Sequence, residues 1–457
     1  MITKIEINGF KSFRNFQMDF TPFTIVAGIN ASGKSNLFDA LELLSRLAQY
    51  SLREAFIKNR GSAEELFSII GNQECNRMEF AIEMLVSRTI KDNWGIEKEI
   101  KSPRLRYELH IERINRTDGY EELKVTHESL ELIKTQKDRW AKAFIPKDNI
   151  FIWKSSQHGG SKPFIQSQEI NGVHSIYLRQ DSGMGGKHSP ANTINQTVLS
   201  GVNSNDFPHV FAAKMEMVNW KFMQLNPEVL REPTRKGPQM SDMITHNGGN
   251  LAAALFRIKN QNSEYTMTEI SRELIRFLPE YVAVDVLNEE ENRQFIIKLQ
   301  NKEGEIFSSR VLSEGTLRLL ALIILQFDNE HKGLLCFEEP ENGIHPMRIR
   351  QIADLLYNLS ADYENENYSL RQVIVNTHSP ILIKVLLQWS INSNVSIWLS
   401  KMRTEIFDYN GKRVKMRATK MSLVSKSGEK DIFWNNCDPR SAAELEEYLS
   451  IVKDSNE

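Results

Sequence analysis

Residues 23–36 read FTIVAGINASGKSN, and within them Gly28 to Ser35 fits the pattern G-x-x-x-x-G-K-S. Five strand-forming residues, Phe23 to Ala27, come first. Leu37, Ala40, Leu41, Leu44 and Leu47 then recur at helical spacing. A glycine-rich loop between a strand and a helix is the context in which this pattern binds phosphate. Gly28 and Gly33 let the chain curl so that backbone N–H groups point inward. The helix start adds further donors and the positive end of a dipole. Lys34 reaches the outer phosphates, and the Ser35 hydroxyl suits Mg²⁺. Asn30, Ala31, Ser32 and Asn36 complete the expected cradle.

The chain has 457 residues, of which 40% are hydrophobic and 25% charged. That is a globular composition with material for two or three domains. The formal net charge is -2, which gives no global pull toward nucleic acid but leaves room for a local basic patch. The three cysteines, Cys75, Cys336 and Cys437, are far apart. No disulfide framework is expected, and a cytoplasmic setting fits. The start, MITKIEINGF, reads as a strand rather than a signal peptide. No apolar run is long enough to span a membrane.

Alternation predicts strands over Ile2 to Ile7, Phe13 to Phe20, Arg77 to Val86, Leu105 to Arg113 and Tyr120 to Thr126, with a hairpin signal at Asp118-Gly119. Residues 152–205, rich in Gly, Ser, His, Gln and Asn, suggest long loops around short strands such as Ile176 to Leu178. The PEVLREPTRKGP segment reads as a solvated basic loop. From Ser313 onward helices and hydrophobic strands alternate, the grammar of a buried parallel sheet. Ser441 to Lys453 reads as a closing helix. The expected division is an N-terminal lobe with the phosphate loop (1–120), an inserted mixed region (121–304), a C-terminal lobe (305–425) and a helical extension (426–457).

Three further segments carry chemistry. In LLCFEEPENGIHP, residues 334–346, a buried strand ends in Glu338-Glu339. Neither carboxylate is cheap to bury. Glu338 suits Mg²⁺, and Glu339 suits the water that attacks a terminal phosphoryl. Both can serve only if the strand ends there, because alternation otherwise sends them to opposite faces. Glu341, Asn342 and His345 follow in a turn. In RQVIVNTHSP, residues 371–380, a β-branched strand delivers His378 at its C-terminal end, where open α/β sheets place ligand groups. In VLSEGTLRLLAL, residues 311–322, Ser313 is a natural N-cap, and Glu314 and Gly315 open a helix whose free N–H groups suit a phosphate.

Together these four segments resemble the ATP-binding-cassette superfamily in its RecF/SMC/OLD-like branch, and most of all the ATPases grouped with overcoming-lysogenization-defect proteins. IEINGFKSFRNF resembles that branch's opening, GINASGKSN its Walker A motif, LLCFEEPENGIHP its Walker B motif and D-loop, VLSEGTLRLLAL its signature and NTHSP its switch histidine. The signature reads SEG where many relatives have SGG. No Q-loop glutamine stands out among Gln157, Gln180 and Gln196. The stretch after His378 shows no metal-nuclease constellation.

The resemblance implies an α/β head of the ABC type, with a mixed N-terminal sheet, a parallel core sheet and a large α+β insertion. It implies ATP and Mg²⁺ as ligands, and hydrolysis with Lys34, Glu339 and His378 as catalytic groups. It also implies a homodimer or higher oligomer, in which Ser313 and Gly315 of one subunit face Lys34 of the other. The expected role is a sensor or scaffold ATPase that controls a separate nuclease or toxin in anti-phage defence. The alternative is a RecF-like repair protein that binds DNA through Lys11, Arg14, Arg231, Arg235 and Lys236.

Overall fold

The opening alternation becomes a strand, Ile2–Asn8, in the computed structural model. The structure describes residues 1–71, 73–92, 94–115, 119–145, 153, 162–170, 173–181, 185–190, 195–203, 206–238, 240–261, 264–360, 370–389, 394–409, 411–424, 443–447 and 449. The chain forms two compact units. One holds Met1–Trp220, Asp362–Leu370 and Asn392–Glu457, and the other Lys221–Ala361 and Arg371–Ile391.

In the first unit, Ile2–Asn8 lies between Phe16–Asp19 and Arg77–Leu85 in an eight-stranded antiparallel sheet. The second strand is shorter than the expected Phe13 to Phe20. Phe13 instead bridges back to Phe10, with Lys11 at φ 45° between them and Asn15 at φ 45° two residues beyond. Beyond Arg77–Leu85 come Arg104–Asn115, Glu121–Leu132, Ile165–Ile170, Val173–Arg179 and Gly186–Pro190. The strands from Glu121–Leu132 to Gly186–Pro190, in a stretch expected to be inserted and partly loops, thus extend the N-terminal sheet. Glu121–Leu132 pairs with Arg104–Asn115 from Asn115 to Leu105. Asp118 and Gln157 lie outside the described residues, as does most of 426–457; of the expected closing helix, 443–447 are helical.

The same unit holds Phe23–Ala27, buried at every position, beside Val395–Tyr409 in parallel. Val395–Tyr409 runs on beyond its last pairing with Ala27 and turns at Gly411, φ 73°, into the antiparallel Lys412–Leu423. The helix Lys34–Leu47 follows the glycine loop, with Leu37, Ala40, Leu41, Leu44 and Leu47 all buried as their spacing requires.

In the second unit, Lys221–Met223, Gly333–Glu338 and Arg371–Thr377 pair in parallel. Its longer helices include Leu251–Gln261, Glu264–Phe277, Glu314–Phe327, Ile349–Asn358 and Pro380–Leu387. The α/β class expected from sequence is what the chain adopts. The basic segment expected as a solvated loop is instead ordered by its own residues. Asn226 accepts from the Glu228 N–H to cap Pro227–Arg231, Leu230 is buried, and Thr234–Arg235 pairs with Gln294–Asn301. Among the described residues no helix is long and apolar enough to cross a membrane.

A buried ionic cluster ties this unit together. Arg257 Nη2 donates to both carboxylate oxygens of Asp328 at 2.8 Å. Arg371 donates to the backbone oxygens of His331, Leu325 and Asp328. Asp328 and His331 are fully buried. Burial pushes the His331 imidazole down to about 4, although the Asp328 carboxylate pulls the other way. The unfolded chain, with an ordinary value of 6.5, therefore takes up this proton first as pH falls. The contribution is complete above about pH 6.5 and is lost progressively toward about pH 4. Urea unfolding across that window should show falling stability, with a shallower fall in His331→Gln.

Candidate nucleotide site

The glycine loop takes its shape from what lies beneath it. Gly28 sits at φ 153° and Gly33 at φ 93°, and Ala31 adopts φ 61° between them. A Cβ on Gly33 would lie 1.9 Å from Oγ1 of Thr419, and one on Gly28 would lie 2.6 Å from the Ser400 carbonyl oxygen. The loop thus rests directly on the root of the Val395–Leu423 hairpin, and the Ser400 hydroxyl donates to the Ser32 carbonyl at 2.8 Å. A polar chain continues from there. Asn36 Nδ2 donates to Ser12 Oγ at 2.7 Å, and Ser12 Oγ lies 2.6 Å from Thr419 Oγ1. Lys11 reaches Asp39 at 2.6 Å. The phosphate loop, the first helix and the Phe10–Phe13 turn are therefore one body.

The loop's chemistry suits an anion. Gly33 caps Lys34–Leu47 without a side-chain hydrogen bond, and the first turn holds no acidic residue, so the dipole's positive end is not neutralised locally. Lys34 is buried and donates to the carbonyls of Gly28 and Ile29 at 2.8 and 2.9 Å. These contacts keep the ammonium inside the loop, within reach of a phosphate. Ser32 is 2% exposed, and among the described residues its Oγ finds no hydrogen-bond partner. An orphaned buried hydroxyl in such a loop fits a phosphate oxygen. Ile29, Asn30 and Ala31 are exposed.

The second unit positions the acid groups. Gly333–Glu338 ends at Glu338, paired with Asn376. Glu339 then turns out of the strand at φ 46° while its N–H still donates to the Asn376 carbonyl at 2.9 Å. That left-handed conformation costs a non-glycine residue about 1 kcal/mol or more. It resolves the alternation problem, because Glu338 and Glu339 no longer follow one pleat. Oε1 of Glu339 lies 2.7 Å from Nδ1 of His378, and Asn342 Nδ2 donates to Oε2 at 2.7 Å. With the carboxylate as acceptor, the imidazole donates from Nδ1. Each oxygen keeps a second lone pair for a water molecule.

The turn after Glu339 is anchored by Glu341, which is 7% exposed and accepts from the Thr377 hydroxyl. Thr377 Oγ1 in turn accepts from the Ser379 N–H at 2.9 Å. Burial raises the Glu341 carboxyl above its usual range, against the Thr377 hydrogen bond. At the signature, Ser313 Oγ accepts from the Thr316 N–H at 3.2 Å and so caps Glu314–Phe327. Ser313 and Glu314 are exposed, and Gly315 is half-buried. A Cβ on Gly343 would come within 3.3 Å of Glu314 Oε2, and one on Gly315 within 3.6 Å of Ile344. The signature start and the 341–344 turn therefore pack together, and Glu339 and His378 meet.

Sequence reasoning located the loop, both glutamates, His378 and Ser313. It did not find Ser12, Ser400 or Thr419, which support the loop from beneath, nor the Glu341–Thr377 bond. A serine or threonine on a strand carries no signal of which distant glycine it will touch. Gly33→Ala should meet Thr419 and carry a strained φ as well. Nucleotide affinity measured by titration calorimetry should fall at least about tenfold, and combining the change with Thr419→Ala should restore only the part due to collision.

Two family models match the chain. One described as "AAA ATPase domain" covers residues 1–177, and one described as "AAA domain, putative AbiEii toxin, Type IV TA system" covers 236–384. Comparison with curated protein sequences gives no match. Among solved structures, an SMC head bound to the C-terminal winged-helix domain of ScpA is 16% identical, with a TM-score of 0.49, covering 93% of this chain and 98% of that one. The Smc head with an extended coiled coil from Pyrococcus furiosus, bound to the C-terminal domain of ScpA, is 13% identical at a TM-score of 0.46, covering 100% and 99%. Both scores are below 0.5, so the fold rests on the chain's own topology. The two sequence models fall on the segments that carry the phosphate loop and the paired glutamates, and this chain is a P-loop ATPase.

Proposed function

We propose that this ATPase works as a nucleotide-driven dimer or larger assembly controlling a separate effector, a nuclease or toxin, in anti-phage defence of the OLD-like kind. The observation that carries the hydrolytic part is the Glu339–His378 hydrogen bond, made at a strand end where Glu339 holds an unfavourable φ. Backbone strain of that kind persists where function requires a particular side-chain direction. The defence role draws on the description of the model matched at 236–384, which names a putative AbiEii toxin.

In this reading the Gly28–Asn36 loop holds the phosphates of ATP through backbone N–H groups, the Ser32 hydroxyl and Lys34. Ser35 and Glu338 are the oxygen donors for Mg²⁺, which supplies charge neutralisation at the phosphates. Hard oxygen donors in such small number suit this ion, since it keeps several waters and shares phosphate oxygens. Among the described residues no three His, Cys, Asp or Glu side chains gather as a metal cage of their own. Glu339 accepts the proton of the attacking water, and His378 orients that carboxylate. Ser313, Glu314 and Gly315 present the start of their helix to the nucleotide of a second copy. ATP then joins two heads, and its hydrolysis releases them.

Glu339→Gln removes the base while keeping the shape. ATP binding should persist, turnover should fall by about 100-fold or more, and native mass measurement should show the dimer trapped in ATP. Lys34→Ala should lose both binding and pairing. A chain shown to stay monomeric at full turnover would sink the paired mechanism. Copurification without any nuclease or toxin from the native neighbourhood would sink the defence role.

A further inference from the structure

The hairpin that supports the phosphate loop continues past it. Val395–Tyr409 and Lys412–Leu423 pair from Trp398↔Leu423 to Tyr409↔Lys412. Alternation and this register put Thr404, Ile406 and Asp408 on one face with Arg417, Lys415 and Arg413. The opposite face is covered. Phe407, Val414 and Met416 pack with Ile70 and Cys75, and the Arg14 guanidinium lies 3.4 Å from the centroid of the Phe407 ring. The first face is open, and all six of its residues are exposed. It carries three cations and one carboxylate. Among the described residues Arg413, Lys415 and Arg417 make no ion pair, whereas Lys401 and Lys420 nearby are paired with Glu444 and Glu405.

Three unpaired cations in a row on a rigid strand are unusual in a chain of net charge -2. Like charges at alternate positions repel, and the face's one carboxylate, Asp408, stands opposite Arg413 alone. Alternate residues on a strand are about 6.8 Å apart, which corresponds to two steps of about 3.4 Å along one strand of a DNA duplex. No aromatic residue stands on this face to stack with a splayed base, as single-stranded binding would want. Nor is the face greasy enough for a lipid surface, with Ile406 its single large apolar side chain.

We infer that the exposed face of the 404–417 hairpin docks the phosphate backbone of duplex DNA, with Arg413, Lys415 and Arg417 each neutralising one phosphate. The contact reads no bases. This site is different from the residues the sequence suggested for DNA. Lys11 and Lys236 are committed to Asp39 and Glu290, and Arg14 to Glu405. The inference does not depend on the effector or the dimer.

The test compares the full chain with Arg413→Gln/Lys415→Gln/Arg417→Gln. A control variant, Lys91→Gln/Lys98→Gln/Lys302→Gln, has the same net charge. Affinity for a short labelled duplex is measured by anisotropy against salt, alongside ATP turnover and its KM without DNA. Three neutralised phosphates predict a log–log salt slope of about -2.7 and an affinity loss of about fortyfold between 50 and 200 mM salt. The hairpin variant should bind at least about tenfold more weakly with a slope near zero, while its turnover and KM stay at the wild-type level and the control binds normally. Duplex binding equal in the hairpin variant and the wild type overturns the inference. So does absence of duplex binding by the wild type at low salt, or equal weakening in the control variant. A raised KM for ATP in the hairpin variant assigns the strip to the nucleotide instead, and displacement of the duplex by phosphatidylserine vesicles at equal charge assigns it to lipid.

Discussion

The architecture of the first unit depends on one contact, the flat underside of a glycine loop against a threonine. Gly33 has no room for a methyl group over Thr419, and Gly28 none over the Ser400 carbonyl. Ser12 and Asn36 then extend the contact sideways through hydrogen bonds. Each of these groups is buried or half-buried, so each hydrogen bond also prevents the cost of an unsatisfied polar atom, about 1–3 kcal/mol.

The second unit solves a different problem. Two adjacent carboxylates at the end of a buried strand are both expensive to desolvate. The chain leaves the pleat between them, and each remains only half-buried. Glu339 is then held by three bonds from three directions: its own N–H to Asn376, Asn342 on one oxygen and His378 on the other. That over-determination offsets the unfavourable dihedral. The deeply buried Glu341 fixes the Thr377–Ser379 corner, and so the place from which His378 extends. A deeply buried carboxyl, Glu341, and a half-buried one bonded to His378, Glu339, thus lie two residues apart.

Much of this was legible in the residues. The phosphate loop could be read because glycine and lysine at fixed spacing, between a strand and an amphipathic helix, have few other uses. The Ser313 cap was legible because capping is local. The demand that the strand stop between Glu338 and Glu339 followed from alternation alone, although the way it stops, a positive φ, did not. Composition over 152–205 points to short strands among loops, and Val173–Arg179 contains the expected Ile176 to Leu178; that this strand joins the N-terminal sheet was not legible, because pairing with a distant neighbour decides it. The PEVLREP helix was missed because its proline, taken as a breaker, stands at the first helical position, where it is welcome. Contacts such as Ser12 with Thr419 were beyond any local signal.

Ser12 and Thr419 are 407 residues apart in the chain, and Ser32 and Ser400 are 368 apart. During synthesis the glycine loop emerges early, but the strand pair it rests on emerges far later. A nascent chain therefore carries the complete phosphate motif through a long stretch of its time on the ribosome without the floor that shapes it. The floor under the glycine loop is thus made long after the loop itself, so the loop's final shape waits on the late part of the chain.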